Sequence, residues 1–202
     1  MMTDDRIREA DHNVRQYIVD GILRVKDDTV KKFVRFFMDN AESSLETAAL
    51  LYAVSDDKVV KDTLKVGSEF ESYLWVIASS YYSMFYAATA LLASEGIKAR
   101  GQIVHKVTAD ALIHFIKNRK LAKLLEEYDE AKNVAGELIG REEFMKRIEK
   151  KTDELIVAFE SERRKRTRFQ YDTGILIKKG YASTSLARAK QFVEEIRKIL
   201  AR

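Results

Sequence analysis

Residues 72–94 read Ser-Tyr-Leu-Trp-Val-Ile-Ala-Ser-Ser-Tyr-Tyr-Ser-Met-Phe-Tyr-Ala-Ala-Thr-Ala-Leu-Leu-Ala-Ser and contain no charged residue. A helix that is apolar on every side is either a membrane span or the middle of a helical bundle. By length alone this one could cross a bilayer. Ser79, Ser80, Ser83 and Thr89 fall within it, however, and its tyrosines are spread along the segment instead of gathering at its two ends as interfacial belts do. The stretch therefore reads as the core helix of a bundle with no membrane role. Gly96 offers the left-handed residue that commonly stops a helix.

The segments on either side supply the partners that such a helix needs. Between Thr29 and Val54, apolar Val34, Phe37, Met38, Ala41, Leu45, Ala48 and Tyr52 recur at three- and four-residue steps, while Lys31, Arg35, Asp39, Glu42 and Glu46 take the opposite face. A raggeder helix is expected over Asp4 to Val25, weakened by Gly21, and a polar connection over Ser55 to Gly67. Beyond the core helix, helices are expected over Arg100 to Lys117, Leu121 to Ile139, Arg141 to about Gln170, and Tyr181 to Arg202. In the last, Leu186, Ala189, Val193, Ile196 and Leu200 keep the three-four step.

Composition agrees with an all-α chain. There is no proline and there are only eight glycines among 202 residues, whereas a sheet-rich fold needs many tight turns that favour both. At 46% hydrophobic and 34% charged residues, the chain can bury a core and remain hydrated outside. It has no cysteine, so disulfides and thiolate metal sites are excluded, and a reducing, cytoplasmic setting is expected. Met1 to Arg6 is charged early and lacks an apolar run, so no signal peptide is expected there. The net charge of +4 permits a nucleic-acid partner without requiring one.

The run from Ser80 to Leu92, Ser-Tyr-Tyr-Ser-Met-Phe-Tyr-Ala-Ala-Thr-Ala-Leu-Leu, resembles the second bundle helix of a prokaryotic family of the HEPN superfamily, which reads roughly Y-Y-x-M-F-Y-A-A-x-A-L-L. In that family a glycine, a basic stretch and a histidine follow; Gly96, Lys98 to Arg100 and His105 match them here. An Arg-rich helix then leads to an aromatic-acidic pair and a glycine, which Arg163 to Arg168 and Gln170-Tyr171-Asp172-Thr173-Gly174 resemble, although the family's Asp-Tyr order is reversed. The resemblance implies an antiparallel HEPN-like bundle over residues 28–202; the helix inserted within it and the N-terminal helical extension over 1–27 depart from the family's pattern. The resemblance also implies a homodimer, a small nucleotidyltransferase as antitoxin-like partner, and RNA or nucleotide as ligand.

Many HEPN proteins are metal-independent endoribonucleases marked by R-x(4–6)-H, and Arg100-Gly101-Gln102-Ile103-Val104-His105 satisfies that spacing. Cleavage through a ribose 2′-OH needs a proton carrier that titrates near neutrality, the natural work of histidine. It also needs a fixed cation where charge builds on the phosphate, which arginine supplies. Arg100 and His105 are thus the candidate catalytic pair. The same residues also admit a plain reading, Arg100 as a solvated loop cation and His105 packed at the start of a helix.

Arg163, Arg164, Lys165, Arg166 and Arg168, with Tyr171 close behind, form the sharpest basic cluster. They are candidates for holding phosphates and stacking a base, or for a solvated helix end pairing with Glu160 and Glu162. His114 reads as a half-buried packing residue and His12 as a surface one. The three histidines are too dispersed for a metal site, and no cofactor-binding motif occurs. Two functions stay open: an RNA-cutting toxin of a toxin–antitoxin pair, or a non-catalytic module that binds a nucleotide or docks a nucleotidyltransferase. A purely structural helical dimer is a third.

Overall fold

The protein is described from a computed structural model covering residues 4–115, 128, 130–135 and 173–201. It is an all-α helical bundle with one very short ribbon of strand. In chain order come α1 (Asp4–Val19), β1 (Leu23–Arg24), a 3-10 turn (Asp28–Phe33), α2 (Val34–Asp56), α3 (Lys58–Leu64), α4 (Tyr73–Ser94), β2 (Lys98–Ala99), α5 (Val104–Phe115) and, beyond helical residues 130–135, α6 (Thr173–Leu200).

The charge-free helix is α4, and it is the spine. It packs against α2 on one side, α6 on another and α5 on a third. Fifteen of its residues are buried, among them Val76, Ile77, Tyr81, Met84, Leu91 and Leu92. Its length and composition would let it cross a membrane, but 78% of its most apolar window is covered by the rest of the fold. Its neighbours reach it closely because they offer small residues two turns apart: Ala41 and Ala48 on α2, and Ala182 and Ala189 on α6, all fully buried. Between α2 and α6, Arg197 grips Glu42 through Nη2 and Nε at 2.8 and 3.1 Å.

The end of α4 follows the sequence. Ile97 N–H donates to Leu92 C=O at 2.9 Å and Gly96 N–H to Ala93 C=O at 3.0 Å, with Gly96 left-handed at φ +69°. This bond pair satisfies carbonyls that the helix end would otherwise leave open. A Cβ on Gly96 would fit in ordinary contact at 3.5 Å from the Asp27 backbone, whose N–H donates to the Gly96 carbonyl, so it is the left-handed φ that calls for glycine. The α4 stop is therefore also the clasp that holds the start of α2.

Several boundaries differ from expectation. The first helix ends at Val19, not Val25, because Gly21 turns left-handed and Ile22 to Arg24 leave to pair with Lys98 to Arg100. The helix expected from Thr29 opens as a 3-10 turn capped by Asp27, whose carboxylate accepts from Thr29 N–H at 3.1 Å. The expected polar connection after Ser55 contains α3, started by Asp57, which accepts from Val59 N–H at 2.7 Å. The helix expected from Arg100 begins at Val104, after the ribbon, and the last one begins at Thr173, ahead of Tyr181. Most of the segment expected as helix over Leu121 to Ile139 and all of Arg141 to Gln170 lie outside the described residues.

The N-terminal segment is packed into the same core. Ala10, Val14 and Tyr17, at successive four- and three-residue steps, are buried against α5. At their centre Asp110 of α5, fully buried, meets Arg6 Nη2 at 2.7 Å and accepts from Asn13 Nδ2 at 2.9 Å and the Tyr17 hydroxyl at 3.1 Å.

Candidate functional site

His105 sits in the first turn of α5, where the chain leaves the ribbon and turns inward. Its Nδ1 lies 2.9 Å from the Tyr81 hydroxyl of α4. The Phe85 ring lies against it, tilted by 35° at 4.1 Å between centroids, with Tyr81 at 5.6 Å and Tyr82 edge-on at 6.1 Å. The aromatic column continues from Tyr81 to Tyr128 and on to Phe192 of α6. The aromatics that carry the family resemblance thus converge on His105 and enclose it. Only 3% of its surface is exposed.

Burial sets its chemistry. Withdrawal from water disfavours the imidazolium and holds the pKa down at about 4, from the usual 6.5. Near neutrality His105 is a neutral ring fixed by hydrogen bonding and ring contacts. This has a consequence for stability. Between pH 6.5 and about 4 the unfolded chain protonates this histidine and the folded chain does not. The contribution is therefore present above pH 6.5 and lost as pH falls, amounting at most to roughly 3 kcal/mol. Chemical denaturation across that window should show a component of acid destabilisation that disappears in His105→Gln, a side chain able to accept from Tyr81. An unchanged pH slope in the variant would contradict the assignment.

Arg100 stands elsewhere. It extends the ribbon, its N–H donating to Ile22 C=O at 2.9 Å, and its side chain is exposed. No hydrogen bond or ion pair joins it to His105 among the described residues. It belongs to a basic face. The register sets Arg24 directly across from Lys98 and Leu23 across from Ala99, and Arg100 continues it opposite Ile22. Alternation then turns Leu23 into the core and leaves Arg24, Lys98 and Arg100 on the other face. Like charges directly opposed repel, and none of these three has a carboxylate partner within ion-pair distance among the described residues. The neighbouring acid is Asp27. Its carboxylate is held below its usual range chiefly by the Thr29 hydroxyl, with Lys98 and Arg100 adding to the effect.

The remaining histidines behave as expected. His12 is exposed, and His114 is half-buried with Nδ1 2.5 Å from Asp11 Oδ1 and its ring edge-on to Phe115. Among the described residues no three His, Asp or Glu side chains gather as a metal site would require. The candidate phosphate-binding residues Arg163, Arg164, Lys165, Arg166, Arg168 and Tyr171 lie outside the described residues. Missed from sequence was the opposition of Arg24 to Lys98. Its signal was faint: two cations in short segments with no visible reason to pair.

The fold and this face define an all-α bundle with an enclosed histidine and a ribbon whose cations have no ion-pair partner among the described residues. No family model matches the chain, and neither a curated protein nor a solved structure does.

Proposed function

We propose that this chain is a cytoplasmic, HEPN-type helical module that binds RNA or a nucleotide without cutting it, acting as a homodimer and docking a small nucleotidyltransferase. The family reading is supported by the charge-free aromatic helix at the centre of the bundle and by Gly96, the basic stretch and His105 that follow it. One observation carries the non-catalytic half. The histidine that a ribonuclease would use is packed against Phe85, hydrogen-bonded to Tyr81 and neutral near pH 7. A general acid or base must reach its proton and titrate near the working pH, and this residue does neither.

The binding half is supported by the ribbon cations Arg24, Lys98 and Arg100. On the same reading the run Arg163 to Arg168 with Tyr171 adds phosphate and base contacts. The test is to incubate the protein with RNA without added metal across a salt series. The expected result is intact RNA and an affinity that falls with salt. The slope of log K against log salt should be about −2 or steeper, since each of three neutralised phosphates on a single strand contributes about −0.7. RNA cut by the parent and spared by His105→Ala would overturn the proposal and restore Arg100 and His105 as the catalytic pair of an endoribonuclease toxin.

A further inference from the structure

Beside the ribbon lies a cavity of about 280 Å³, lined by Val30, Phe33, Phe36, Phe37 and Leu92 among others, with Lys98 on its wall. Phe36 and Phe37 meet edge-on at 5.6 Å, and Phe33 and Phe37 are tilted at 6.5 Å. Phe36 is 58% exposed and Phe33 40%, a large share of aromatic surface to leave open to water. Lys32 places its ammonium over the Phe33 ring at 5.2 Å. The wall is therefore aromatic, and its rim is cationic.

A polar group lies behind the cavity wall. Thr108 of α5 lines the cavity and is fully buried, and its Oγ1 has no hydrogen-bond partner among the described residues. Helical threonines elsewhere in this chain satisfy the hydroxyl on the carbonyl four residues back, as Thr47, Thr63 and Thr89 do at 2.7–2.8 Å. Thr108 does not. Leaving a buried hydroxyl unpaired is destabilising, and a ligand with a hydrogen-bonding edge would relieve it.

These observations converge on one ligand chemistry: a flat ring with hydrogen-bonding atoms on its edge, joined to an anion. We infer that the cavity between the 3-10 turn, α4, α5 and β2 seats one nucleotide, its base against Phe33, Phe36 and Phe37 and in reach of Thr108, its phosphate on Lys98 and the ribbon cations. A base offers a face for aromatic contact and an edge for the hydroxyl. A phosphate between Arg24 and Lys98 relieves the repulsion of like charges held opposite one another. Asp27 and Asp28 limit where the phosphate can sit. Asp28 pairs with Lys31 at 2.7 Å, whereas Asp27 keeps its charge and already interacts with Lys98 and Arg100, so the phosphate has to compete with it for those cations. The inference rests on the RNA- or nucleotide-binding reading above and gives it a location separate from the His105 enclosure.

A free nucleotide and an unstacked nucleotide of a single strand share this chemistry. Calorimetric titrations of the full chain with each of the four nucleoside monophosphates, and with a single-stranded oligonucleotide, distinguish them. Phe36→Ala, Thr108→Val and Lys98→Gln should each weaken binding about tenfold. The first loses base contact, the second a hydrogen bond and the third a phosphate contact. Thr108→Val should fold at least as stably as the parent, because it removes an unpaired hydroxyl, so its loss of binding cannot be ascribed to unfolding. Sensitivity of monophosphate binding assigns the seat to a free nucleotide, and sensitivity of the oligonucleotide alone assigns it to RNA; both support the inference. RNA binding that all three variants retain at parental strength overturns the inference and leaves the RNA-binding reading standing. No binding of any nucleotide or RNA by the parent overturns both.

Discussion

Replacing Asp110 with alanine should cost about 3 kcal/mol of folding stability, near the lower end of what breaking a buried ion pair costs. Asp110 is fully buried and answers three donors from α1, namely Arg6, Asn13 and Tyr17. Without it the Arg6 guanidinium, which also meets Glu9 at 3.6 Å, stays in a largely enclosed place with its buried counter-charge removed. The estimate stays at the low end because the Arg6 side chain keeps 19% of its surface in water. Burial first and the Asp110 carboxylate second push the Tyr17 phenol well above its usual range, which keeps it a donor to Asp110. Denaturant unfolding of Asp110→Ala gives the size of the loss, and amide exchange gives its location, which should be α1 and α5. The double change Arg6→Met with Asp110→Leu should recover much of the loss, since an apolar pair carries no stranded charge. A loss below about 1 kcal/mol for the single variant would mean that α1 is not anchored through this group.

Tyr81→Ala should be at least as damaging, at about 3–5 kcal/mol, the range for removing a large buried aromatic side chain. Tyr81 is 1% exposed and joins His105, Tyr82 and Tyr128 in one ring cluster. Tyr81→Phe separates the two parts of its role. The ring contacts persist while Nδ1 of His105 loses the hydroxyl, so the expected loss falls to about 1–3 kcal/mol. Equal losses for the two variants would show that the hydrogen bond, and not the ring, holds α4 to α5. Neither variant should generate nuclease activity.

The spine of this fold could be read from the sequence because its signals are local. Twenty-odd residues without a charge need to be covered, and a glycine at position 96 marks a helix end through its own backbone freedom. The three-four steps of α2 and α6 carry the same local information. The ribbon could not be read in this way. Strand signals depend on alternation over several residues, and Leu23–Arg24 and Lys98–Ala99 are two residues each, paired only because α1 and α4 bring them together. The α3 helix had a legible start in Asp57 ahead of Val59 and Val60, but it lies in a stretch whose polarity suggested a loop.

The candidate site divides along the same line. That Arg100 and His105 are five positions apart is plain in the sequence. That one faces outward from a strand end while the other turns into a helix start beneath Tyr81 and Phe85 is set by the tertiary fold. The burial that lowers the histidine's pKa comes from residues of a different helix, so spacing carries no trace of it. Thr108 is the reverse case. It looks like any helical threonine in sequence, and only the cavity at its side gives its hydroxyl a use.

Whether His105 is an enclosed, neutral packing residue decides whether the proposed non-cutting function stands. NMR titration of the His105 imidazole in the folded protein, assigned by comparison with His105→Gln, reads this. Its side-chain resonances should stay constant down through pH 6.5 and shift only near a pKa of about 4. Titration near 6.5 in the folded state would show a solvent-reachable histidine suited to acid–base chemistry and would contradict the proposed function.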